Sequence, residues 1–134
     1  MKKLLLLLGL FLSTGAQAQQ VGPPPLYCNQ SFQVSAGATA ITQIVAAVAG
    51  RAIHICGYDI NAGAAAGTFQ LSTGTGANCG TGTTSITPAF SLAINGVLSA
   101  RNTTVWYSTP QGNALCYTIT GTGPVQALVS YGQY

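Results

Sequence analysis

The chain has 134 residues, 48% of them hydrophobic and only 4% charged, with four Lys or Arg and a single acidic residue. That length makes one domain able to bury a core, near the size where covalent staples help. With no basic stripe there is nothing to neutralise phosphates, which argues against nucleic acid and anionic membranes as partners. One carboxylate also excludes paired-carboxylate glycoside chemistry and a calcium site.

In chain order, Lys2-Lys3, the apolar run 4–12 and the small-residue site Ala16-Gln17-Ala18 have the form of a secretory signal at residues 1–18. The apolar run is shorter than the roughly 20 residues of a membrane span. Gln19, not a cysteine, follows the site, which argues against lipid anchoring. Residues 19–26, with Pro23-Pro24-Pro25, form an extended lead-in that cannot join a helix or a sheet interior. Three charged side chains then remain, Arg51, Asp59 and Arg101.

The domain proper is expected over residues 27–134. A first strand spans 27–34, with Cys28 at its start. Residues 39–48 fit a helical stripe or a strand, and the β-branched Ile41, Ile44, Val45 and Val48 favour strand. The central strand is expected at 51–60. Strict alternation there puts Ile53 and Ile55 on one face and His54, Cys56, Tyr58 and Ile60 on the other. Both faces would then be covered, one by a second sheet and one tied down through Cys56.

A strand at 68–72 leads into residues 73–84, TGTGANCGTGTT, whose four glycines predict an irregular loop held to the body by Cys79. It lacks the lysine of a phosphate-binding P-loop and opens no helix. A strand at 89–94, the turn Asn95-Gly96 and a returning strand at 97–100 have the pattern of a hairpin. Further strands are expected at 103–108, 114–120 and 125–131. About eight short strands separated by turn signals define an all-β fold, a single antiparallel sandwich or jelly roll.

Four cysteines in an exported chain predict two disulfides, and the absence of a Cys-x-x-Cys pair argues against zinc. Spacing leaves three connectivities open. The preferred one joins Cys28 to Cys56, fastening the first strand to the central one, and Cys79 to Cys116, fastening the glycine segment to a late strand.

No catalytic, cofactor-binding or metal-binding residues are assigned. A Cys56 thiolate with His54 is the sharpest catalytic arrangement, and oxidation of Cys56 would remove it. His54 and Asp59, five apart, would lie on opposite strand faces, which leaves no triad. Trp106 and Tyr107, with Tyr27, Tyr58, Tyr117, Tyr131 and Tyr134, could form a sugar-stacking platform, which is the alternative function, although such rings more often pack cores. Asn29-Gln30-Ser31 and Asn102-Thr103-Thr104 match the glycosylation pattern and read as ordinary polar strand or turn residues.

Four segments carry a resemblance: Cys56-Gly57-Tyr58, the glycine segment 74–84 with its Cys79, Asn113-Ala114-Leu115-Cys116, and the closing Val129-Ser130-Tyr131-Gly132-Gln133-Tyr134. In this order they resemble small one-domain proteins of tailed bacteriophages and prophages. The resemblance implies a β-sandwich module of a virion surface, such as a tail-fibre or decoration component, and supplies no catalytic residues. An export signal is not needed by a virion part assembled in the cytoplasm, so a bacterial surface protein stands beside that expectation. The sequence thus predicts a secreted, non-enzymatic structural or adhesive module without cofactor. Its surface, with so few charges, suits a homo-oligomer or an assembly partner, and a surface glycan is the candidate ligand.

Overall fold

A computed structural model describes residues 28–37, 40–102 and 104–134. The expected signal at 1–18, the lead-in at 19–26 and Tyr27 lie outside the described residues.

The described chain folds as two antiparallel sheets packed face to face. The first sheet runs β1 (Gln30–Ala36), β10 (Val125–Gln133), β3 (Ile53–Ala62), β7 (Val97–Arg101), with β8 (Tyr107–Ser108) pairing the opposite end of β3. The second runs β2 (Ala40–Val45), β9 (Ala114–Gly121), β4 (Gly67–Thr75), β5 (Thr81–Ser85), with β6 (Phe90–Leu92) also on β4. Each sheet therefore has one long strand, β3 or β4, whose outer partner is split in two. Residues 40–45 are strand, so the β-branched side chains decide the ambiguity there.

Apolar residues from both sheets fill the space between them. Val34, Ile53, Ile55, Ile60, Val125 and Val129 come from the first, and Phe69, Leu71, Leu115 and Ile119 from the second. Phe69 and Tyr117 stack at 6.1 Å, and Tyr58 meets Phe90 at 5.5 Å. Tyr58 is buried enough for desolvation to raise its phenol pKa above the ordinary value.

The central position of β3 is as expected, but its faces are not. Tyr131 pairs with Ile55 and Ser130 with Gly57, so Cys56 is an extra residue with no opposite number, a β-bulge. One inserted residue reverses the phase of everything after it. Ile53 and Ile55 before the bulge, and Tyr58, Ile60 and Ala62 after it, all enter the core between the sheets. His54, Asp59 and Asn61 share the outward face, contrary to the strict alternation expected from the sequence.

The residue after the bulge is held to glycine by β7. A Cβ on Gly57 would lie 2.5 Å from the carbonyl oxygen of Ala100 and 3.0 Å from the Arg101 Cα, both rigid backbone. Only glycine lets β7 approach β3 at this point.

Three other expectations are corrected. The Asn95-Gly96 turn forms, with Asn95 at φ 56° and the Gly96 N–H donating to the Ala93 carbonyl at 2.8 Å. It closes no hairpin, because β6 pairs with β4 and β7 with β3, so the turn carries the chain from one sheet to the other. The glycine segment is also more regular than expected. β4 continues through Thr75, a 3-10 turn spans Ala77–Cys79, and β5 returns along β4. The strand expected at 103–108 is short, only Tyr107–Ser108, and Thr103 lies outside the described residues.

The disulfides join Cys28 to Cys56 and Cys79 to Cys116, with Cα–Cα separations of 6.0 and 6.3 Å, within the range such bridges span. Neither contributes to the cluster between the sheets; Cys79, Cys116 and Ala114 form a small one of their own. Each sulfur bridge therefore belongs to one sheet and lies beside the cluster between the sheets.

Candidate functional site

Outward-facing residues of the first sheet line up in cross-strand rows. One row is Gln33, Leu128, Asp59 and Ser99, contributed by β1, β10, β3 and β7. The next is Ser35, Gln126, Asn61 and Val97. Beneath them the inward residues Val34, Ala127 and Ile60 are buried. This face holds a shallow depression of about 660 Å³, lined mainly by these same residues.

Two of the three charged side chains beyond the signal-like segment meet at its margin. The Arg101 Nε–H donates to both Asp59 carboxylate oxygens, at 3.0 and 2.8 Å, and its Nη2 donates to Oδ2. The Ser99 hydroxyl donates to Oδ1. Arg101 is 72% exposed and Asp59 27%. The guanidinium first, and the Ser99 hydroxyl second, hold the Asp59 carboxyl below the usual carboxylate range. Asp59 therefore stays ionised and locally neutralised, the opposite of a raised general acid.

His54 lies at the other end of β3, with Nδ1 2.7 Å from Ser108 Oγ and its ring 5.9 Å from that of Tyr134. The bulge puts it on the same face as Asp59. They remain five residues apart along the strand, roughly 16 Å at the rise of an extended chain. The only side-chain carboxylate is thus too far away to orient the imidazole. Cys56 is in a disulfide, which removes the thiolate of the Cys-His arrangement.

Trp106 is half-buried at the margin of the core. It meets Tyr58 edge-on at 5.8 Å, and its indole N–H is buried without a partner among the described residues. Tyr107 is tilted 54° from it. The two rings form no coplanar platform, and Tyr58 and Tyr117 pack in the core. Among the described residues no group of three or more His, Cys, Asp or Glu side chains could hold a metal ion, and no helix is long and apolar enough to cross a membrane.

The sequence reading singled out Asp59 and Arg101 by charge but missed Gln33, Ser35, Asn61, Gln126 and Leu128. Polar residues at alternate positions of β1 and β10 were the available signal. For β3 that signal was hidden by the phase change at Cys56.

Comparison with protein-family models, curated proteins and solved structures finds no match.

Proposed function

We propose that the protein is a secreted, disulfide-stabilised, non-enzymatic module with a structural or adhesive role at a cell or virion surface. The observation that carries this reading is the pair of disulfides, one fastening each sheet. Such bridges persist in oxidising compartments and are rare in the cytosol. A durable scaffold with one side-chain carboxylate, held in an ion pair, suits binding and assembly better than proton-transfer catalysis. The placement on a virion rests on the sequence resemblance alone.

Expression of the full chain in a Gram-negative host tests the reading. The expected product begins at Gln19, is recovered from periplasm or medium, has no free thiol and withstands proteinase K until reductant is added. Recovery from the cytoplasm with free thiols would contradict export and the staples together.

A further inference from the structure

We propose that the outer face of the first sheet is a binding site for a neutral oligosaccharide, with Gln33, Asn61 and Gln126 as its principal hydrogen-bonding groups. The inference deepens the adhesive reading above and rests on it for its biological sense.

Shape comes first. The depression of about 660 Å³ falls within the span of small-ligand sites. Its floor is four hydrogen-bonded strands, so the side chains on it are held by rigid elements rather than loops.

The chemistry of the lining then selects the ligand. Each carboxamide offers donors and an acceptor at once, as a sugar hydroxyl does, and carries no charge. Among the described residues, Gln33, Asn61 and Gln126 make no side-chain hydrogen bond within the protein. Elsewhere the amides of Gln70 and Gln133 are spent on the carbonyls of Thr87 and Ala46. Ser35 adds a hydroxyl, and the fixed, exposed guanidinium of Arg101 stands at the rim.

Val97, 70% exposed, and the half-exposed Leu128 supply aliphatic surface for the C–H face of a sugar ring. An anionic ligand would find one cation, already neutralised by Asp59. A peptide held by apolar anchors would find no deep apolar pocket on this face. A neutral polyol fits both the donor and acceptor pattern and the lack of net charge.

The test is a titration of ¹⁵N-labelled, oxidised protein, followed through backbone and side-chain amide resonances. The probes are maltohexaose, cellohexaose, chitohexaose and mannohexaose, with a heparin hexasaccharide and hexagalacturonate as acidic comparisons, each at millimolar concentration. At least one neutral probe is expected to shift the side-chain amides of Gln33, Asn61 and Gln126. Asn61→Ala and Gln126→Ala should each weaken that binding about fivefold to tenfold, the cost of one lost hydrogen bond, while leaving the remaining resonances in place. No shift with any neutral probe, shifts confined to the Trp106 and Tyr107 region, or binding of the acidic probes alone would overturn the proposal. Such a failure would leave the test of export and disulfide formation unaffected.

Discussion

Gly57 shows how one missing Cβ permits the joint between two strands. Because the atoms in the way are the Ala100 carbonyl and the Arg101 Cα, Gly57→Ala must push β7 from β3. The expected cost is about 1–3 kcal/mol, as for other overpacked sites, read from urea unfolding. An unchanged midpoint would mean that the strands have slack at this point. Ser72 presents the opposite case. Its hydroxyl is buried without a partner among the described residues, so Ser72→Ala removes an unsatisfied group and should be neutral or stabilising by up to about 1 kcal/mol. A clear loss of stability would show that the hydroxyl has a partner in solution. Asp59 sets the acid response. Its carboxyl titrates lower in the folded chain than in the unfolded one, so its contribution is full above about pH 4 and is lost as pH falls through the lower folded value. As the only acidic side chain, it should account for most of a small decline in stability below that pH. Asp59→Asn, followed by denaturant unfolding between pH 2 and 7, should flatten the decline, and an unaltered profile would assign it elsewhere.

Within the strands, the controlling feature is the extra residue at Cys56. The β-branched and aromatic content, the turn residues and the cysteine count made the all-β class and most strand positions, β5 excepted, readable from the sequence, and β3 could be recognised as central from its apolar run. The faces were not read, because an isolated Gly57 in the run signals a bulge or a close strand approach without saying which residue is extra, yet the bulge decides that Tyr58 and Ile60 join Ile53 and Ile55 inside. The destination of the Asn95-Gly96 turn was hidden for a related reason. Local turn chemistry fixes the bend, whereas the sheet each strand joins depends on distant partners. Asn61 joins Gln33 and Gln126 on the outward face only once the phase change at Cys56 is made, and the destination of the turn decides that Ser99 and Val97 complete the rows. The glycine segment is held by the β4–β5 ladder and by Cys79, whose bond to Cys116 ties the 3-10 turn to β9. Removing this bridge by Cys79→Ala with Cys116→Ala frees a loop of 37 residues and should cost about 3–4 kcal/mol in the chain-entropy account. Calorimetry should show a lowered but cooperative transition. A change below about 1 kcal/mol would mean that the hydrogen bonds of β4 and β5 suffice to hold the segment.

At the level of the whole molecule, two sheets enclose the main core, and each carries a disulfide beside it. The surface has few charges to oppose edge-to-edge pairing, so the protein is expected to self-associate with rising concentration in sedimentation velocity. A monomer throughout would favour action as a single adhesive unit. The durability proposed for the fold depends on the sulfur connectivity. Mass spectrometry of peptides from exported, non-reduced protein measures that connectivity directly. Cross-linked peptides joining Cys28 to Cys56 and Cys79 to Cys116, with no free thiol, are the expected result; either alternative pairing, or four reduced cysteines, would contradict it.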